Sequence, residues 1–175
     1  MWLVLSHYFL NVMYVLENMD YYDEIAEGYE QLHGEEQLRK AKIVLQNLEV
    51  KKTDKLLDVG CGTASYLSIF KCEKTGIDPS KELLKQAKIP TVQGKAEALP
   101  FPDNSFDIVI SLTAVHHADS KKAVSEMYRV AKRDLVISVL KKASNFKEIE
   151  KEIVKLNVRK RVEETHDVIF FIHKV

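Results

Sequence analysis

Cysteine is scarce: Cys61 and Cys72 are the only two in 175 residues. Two thiols do not make a disulfide scaffold, so a hydrophobic core must hold the chain together. The same scarcity points to a reduced, cytoplasmic compartment. No cluster of Cys and His has zinc-ligand spacing, and no metal site is assigned. Net charge is missing too, with 26 Lys and Arg against 26 Asp and Glu. The chain therefore lacks the basic excess often seen in nucleic-acid binders, although a local patch stays open. Long apolar runs are also absent. Met1 to Leu16 comes nearest, broken only by Ser6, His7 and Asn11. A membrane span needs about 20 mostly apolar residues, and a secretory signal needs a positive n-region that this run lacks. Residues 1–18 form an apolar N-terminal extension with three open readings: an extra helix packed on the domain or a partner, an upstream stretch before a start at Met19, or a weak membrane anchor. No stable membrane insertion is expected. Repeats and low-complexity linkers are lacking, so residues 19–175 read as a single domain with a substantial core.

What is present alternates. Lys55 to Val59 is an apolar run ending at an acid, Asp58, followed by the glycine turn Gly60-Cys61-Gly62-Thr63. It reads as a buried strand opening into a loop where a ligand approaches the backbone. Ala64 to Phe70 then reads as a short helix whose N-terminal amides favour a negative group such as a carboxylate. Lys74 to Asp78 is a second strand, again ending in an acid, and Pro79 and Ser80 start a helix running through Ala87. Pro90 to Gln93, Phe106 to Leu112 and Leu135 to Leu140 are further strands. The Phe106–Leu112 run is apolar enough to be buried on both faces. Apolar positions predict helices through Leu38, Ala41, Leu45 and Leu48, through Val124, Met127, Tyr128 and Ala131, and through Phe146, Ile149, Ile153 and Leu156. Asp20 to His33, with Tyr21, Tyr22 and Tyr29, reads as a helical or irregular cap. Val158 to Val162 and Val168 to Ile172 close the chain as strands. This alternation predicts an α/β fold, a mostly parallel sheet with helices on both faces.

Two ligand classes compete for the glycine turn. A dinucleotide fold places a third glycine where this chain has Ser65, and that glycine lets helix and strand pack over a pyrophosphate. Asp58 would also repel a pyrophosphate, whereas it suits a ligand with a positive amino group. Asp78 is placed to accept hydrogen bonds from ribose hydroxyls. A ligand with an adenosine half and an amino acid half fits both acids.

Asp58-Val59-Gly60-Cys61-Gly62-Thr63, Gly76-Ile77-Asp78, Gly94 to Phe101, Asp103 to Asp107, Val115-His116-His117 with Asp119, and Glu126 to Val130 appear in that order. Together they resemble the class I S-adenosylmethionine-dependent methyltransferases, in the branch that includes the ubiquinone and menaquinone enzymes. The resemblance covers roughly residues 21 to 140. It implies a Rossmann-like sheet of seven strands with the last antiparallel, S-adenosyl-L-methionine as cofactor, and a methyl acceptor as partner. Asp58, Gly60, Cys61 and Gly62 would form the loop at the methionine end. Asp78 and Pro79 would hold the ribose, and Ala96 and Glu97 would flank the adenine, with the Ala96 amide facing a ring nitrogen. Ser111 and Leu112 would wall the sulfonium, and Tyr22 or Tyr29 would close over the cofactor. Three features depart from the family: Lys95 replaces a frequent acid, Ala131-Lys132-Arg133-Asp134 replaces Lys-Pro-Gly-Gly, and the chain beyond Leu140 is short.

His116 and His117 are candidate general bases, with helix-start or packing roles as the alternative. Cys61 is a small packing residue before it is a nucleophile. Asp103 and Asp107 shape a turn. The basic series Lys147, Lys151, Lys155, Arg159, Lys160 and Arg161 reads as a solvated helix face, with an RNA-contacting stripe as the other reading. A small-molecule acceptor is favoured; the alternatives are an RNA or protein acceptor, with a partner subunit, and a catalytically silent cofactor-binding module.

Overall fold

A computed structural model describes residues 20–175, so the readings of residues 1–18 lie outside the described residues. In chain order the elements are α1 (Asp20–Glu24), α2 (Tyr29–Asn47), β1 (Lys55–Val59), β2 (Glu73–Asp78), α3 (Lys81–Leu84), β3 (Thr91–Gln93), β4 (Phe106–Leu112), α4 (Ser120–Val130), β5 (Ala131–Leu140), α5 (Phe146–Ile153), β6 (Val158–Glu163) and β7 (Asp167–His173). The strands form one seven-stranded sheet in the order β3-β2-β1-β4-β5-β7-β6. β1 to β5 pair in parallel, whereas β7 is antiparallel to both β5 and β6. The last strand therefore runs against the rest, as expected.

Strand pleating explains the two cores. Successive side chains point to opposite faces. Leu57, Val109, Leu135 and Phe170 pack on one face with Val124 and Met127 of α4 and Ile149 and Ile153 of α5. Leu56, Ile108, Ile110, Val136 and Phe171 pack on the other with Ala41 and Val44 of α2, and with Tyr66, Leu67 and Phe70. Helices thus cover both faces. The order reverses between β1 and β4, and their C-terminal ends part there to leave a crevice.

Four elements differ from the sequence reading. Ala64–Phe70 is no α-helix. Ala64 takes a left-handed conformation, φ 55°, and a five-residue 3-10 helix, Ser65–Ile69, follows. The helix after Asp78 is a single turn capped by Ser80, which accepts from the Leu83 amide at 3.2 Å. β5 begins at Ala131, directly after α4, instead of at Leu135. Its first turns are polar because Arg133 reaches sideways to Asp54 at 2.9 Å and Asp134 at 2.7 Å. Arg159, Lys160 and Arg161 sit on β6, an outer edge strand, and not on a helix face. Arg161 there pairs with Glu163 at 2.9 Å, and a charged edge discourages pairing with another sheet.

Asp103 helps to fix the turn before β4 as expected, whereas Asp107 lies on β4 itself and ties it to β1. Arg129 holds Asp103 at 2.7 Å and the Phe101 carbonyl at 2.8 Å. Asp107 accepts the Lys55 amide at 2.9 Å. Among the described residues no helix is long and apolar enough to cross a membrane.

Candidate active site

The site is built on strand ends. β1 delivers Val59 and then Gly60, whose φ is +77°. Only glycine holds that conformation without strain, and a Cβ here would collide with the Ala114 methyl. The Gly60 amide donates to the Ile77 carbonyl at 2.8 Å, which ties the turn to β2. The Gly62 amide donates to Asp78 Oδ2 at 2.8 Å, and the Ser80 amide donates to Asp78 Oδ1 at 2.9 Å. Asp78 is thus held in place by two backbone donors, with lone pairs left over. Burial raises its pKa, and the two amides oppose that shift.

A cleft of about 200 Å³ opens between these ends. Of the residues singled out in the sequence, Tyr22, Tyr29, Gly60, Asp78, Pro79, Ala96, Glu97, Ser111, Leu112 and His117 line it. Ser111 turns its hydroxyl away, to the Val59 carbonyl at 2.8 Å. Glu97 accepts the Asp119 amide at 3.1 Å, at the start of α4. Asp58, Cys61, Gly62 and His116 stand behind the lining. Lys95 lines the cleft while remaining largely exposed.

Asp58 is wholly buried. Tyr66 donates its hydroxyl to Asp58 Oδ2, and Oδ1 has no partner among the described residues. Burial raises the Asp58 pKa to about 7. Cys61 packs against Gly76, where a Cβ would lie 2.5 Å from its sulfur. Burial pushes its thiol up, which suits packing and not nucleophilic chemistry. The Tyr29 ring covers Gly62, with a ring carbon 3.3 Å from where a Cβ would be.

At the mouth, the Tyr22 hydroxyl and His117 Nε2 are 2.9 Å apart. The two rings meet edge to face, with centroids 5.5 Å apart. His116 packs on His117 at 4.0 Å. Its buried Nδ1 has no partner among the described residues, and burial lowers its pKa to about 3. His116 is therefore neutral at physiological pH, and only His117 of the pair faces the cleft.

Sequence reasoning missed Thr113, which lines the cleft with φ 57°. Its hydroxyl donates to Asp167 at 2.7 Å and accepts from Lys40. Its amide donates to Ser138 Oγ at 2.8 Å. No local pattern marks this cluster, because its members come from α2, β5 and β7. The only available signal was Lys40 itself, a charge beside Ala41 on the apolar stripe of a helix.

Residues 57–139 match a family model described as a methyltransferase domain. An uncharacterized protein of Methanocaldococcus jannaschii is 37% identical over 81% of this chain and 58% of its own length. The demethylmenaquinone methyltransferase of Anoxybacillus flavithermus is 30% identical over 63% of this chain and 56% of its own. The crystal structure of a SAM-dependent methyltransferase from Aquifex aeolicus superposes with a TM-score of 0.66 at 21% identity, covering 77% of this chain and 89% of that one. The chain carries a class I S-adenosylmethionine-dependent methyltransferase domain. It spans about half the length of the curated relatives it matches. The residues present fit the family's cofactor: a turn with two glycines, an acid with spare lone pairs at the second strand, and a buried carboxylate oxygen with no partner among the described residues.

Proposed function

We propose that the chain transfers a methyl group from S-adenosylmethionine to a small-molecule acceptor by direct displacement. The observation that carries this reading is the Gly60–Gly62 turn bonded to Asp78, since it leaves bare backbone and an oriented acid on one cleft. When bound, S-adenosylmethionine supplies a methyl group on positive sulfur, open to an acceptor's lone pair. Asp78 accepts from the ribose hydroxyls, and Ala96 offers its amide to the adenine. Ser111 and Leu112 form the wall beside the reacting centre and help to exclude water. His117, backed by Tyr22, takes a proton from the acceptor where the acceptor must lose one. Holding the acceptor in line supplies much of the acceleration.

A small acceptor is supported by the relatives named as demethylmenaquinone methyltransferases. Two free cysteines suit work in the reducing cytoplasm. Two experiments test the reading. Calorimetry with S-adenosylmethionine, run beside a nicotinamide cofactor, should give heat with the first alone. Cell extract incubated with protein and methyl-labelled cofactor should then be fractionated by size. Label in the low-mass fraction is expected, and label confined to RNA or protein would overturn the small-acceptor assignment.

A further inference from the structure

We propose that Tyr66 is a positioning residue for cofactor recognition: its hydroxyl holds Asp58 by Oδ2 and leaves Oδ1 to receive the cofactor's α-ammonium group. The inference rests on the S-adenosylmethionine reading above.

Tyr66 lies on the 3-10 helix after the glycine turn and is 7% exposed, among Leu67, Phe70 and Ile110. A phenylalanine would fill that apolar space as well. The hydroxyl has a single use in the structure, the bond to Asp58 Oδ2. A left-handed Ala64 and a 3-10 helix in place of an α-helix set this side chain beneath the turn.

Asp58 is the other half of the argument. Its Oδ1 is buried and has no partner. The titratable groups that face it are Tyr66 from the 3-10 helix, Asp78 from β2, Cys61 from the turn and Tyr29 from α2. None carries positive charge. A buried carboxylate with one donor and no cation lacks a partner that an ammonium group supplies. Burial and Asp78 push Asp58 toward its neutral form, and the Tyr66 hydroxyl opposes them. The phenol thus favours the ionised form against the larger effect of burial.

Tyr29 lines the cleft, and its ring covers Gly62. The cleft of about 200 Å³ is smaller than ligand pockets usually are, about 300–1,000 Å³. The proposal requires the Tyr29 side chain to turn aside so that the ammonium group reaches Asp58.

The test is calorimetry with S-adenosylhomocysteine, which carries the α-ammonium group and no transferable methyl, from about pH 5.5 to 8.5. Adenosine, which lacks that group, is titrated in parallel. Wild type should lose homocysteine-ligand affinity on the acid side, with a midpoint near the Asp58 pKa of about 7. Tyr66→Phe should move that midpoint up by about one pH unit, so that affinity falls several-fold near neutrality and converges with wild type at the alkaline end. Asp58→Asn should bind weakly with no acid limb. The ligand's amine titrates identically in all three proteins, so differences between them report on Asp58. Adenosine affinity should be the same in wild type and Tyr66→Phe. A Tyr66→Phe loss of equal size at every pH, or an equal loss for adenosine, makes Tyr66 merely structural and overturns the inference. Wild-type binding with no acid limb overturns it too, while leaving the cofactor reading intact. Absence of wild-type binding to either ligand at every pH overturns both.

Discussion

Lys40 of α2 forms an ion pair with Asp167 of β7, and both side chains are fully buried. The ammonium also bonds Glu36 at 2.6 Å and the Thr113 hydroxyl, so all three of its protons have acceptors. This pair links a helix on one face to the antiparallel strand and to the cleft floor. Removing one partner of such a pair strands the other. Lys40→Met should therefore cost about 3–5 kcal/mol, read from urea unfolding. The double variant Lys40→Met with Asp167→Leu should recover most of that loss, because no buried charge is left alone. Equal instability of the single and double variants would show that the pair is not coupled.

Gly60 and Ala114 meet where β1 and β4 part. Gly60→Ala adds a methyl that collides with Ala114 and forces a side chain onto φ +77°. Backbone strain alone is worth about 1–3 kcal/mol. Ala114→Gly in the same chain clears the collision and leaves the strain, so it should restore part of the stability and not all. Thermal or urea unfolding of the three variants separates the two terms. Full restoration by Ala114→Gly would remove backbone strain from the account.

The distance between sequence and structure follows from the range of each signal. The mostly parallel sheet and the acids at β1 and β2 were legible because each depends on a short apolar run and the turn after it, whereas the antiparallel last strand was expected only from the family resemblance. The turn before β4 was legible for the same reason. The 3-10 helix at Ser65–Ile69 was not, since its form follows from a left-handed Ala64. The start of β5 at Ala131 was hidden by Lys132, Arg133 and Asp134. Ala131 fits the helical spacing of α4 and the three charges after it break the apolar run, yet Arg133 pairs with Asp54, which lies far away in the chain. At the site, the glycine turn and Asp78 could be placed from local pattern. The burial of Asp58 under Tyr66 and the Lys40–Thr113–Asp167 cluster could not, because each needs contacts across elements.

Asp78 accepts two backbone amides and keeps lone pairs for a ligand. Asp78→Ala leaves both amides without that acceptor and removes the proposed ribose contact. Cofactor affinity should fall by about 1–3 kcal/mol, measured by calorimetry with S-adenosylmethionine. Asp78→Asn keeps one carbonyl oxygen and should fall less. Unchanged affinity in Asp78→Ala would sink the ribose assignment.

Asp58 and His116 pull the pH dependence of stability in opposite directions. The Asp58 pKa rises from 3.8 to about 7 on folding. Between these values the folded state holds more of that proton than the unfolded state does. Stability from Asp58 therefore falls as pH rises through this window. The His116 pKa drops from 6.5 to about 3. Between those values the unfolded state holds more of the proton, so stability from His116 rises with pH and is complete above 6.5. The windows overlap, and the two slopes oppose each other in the wild-type protein. Asp58→Asn should unmask the rising slope and gain stability relative to wild type as pH increases from about 4 to 7. His116→Gln should unmask the falling slope and lose relative stability over the same interval. Urea unfolding of the three proteins at several pH values checks both signs. Parallel pH profiles for all three would mean that neither group changes its proton affinity on folding.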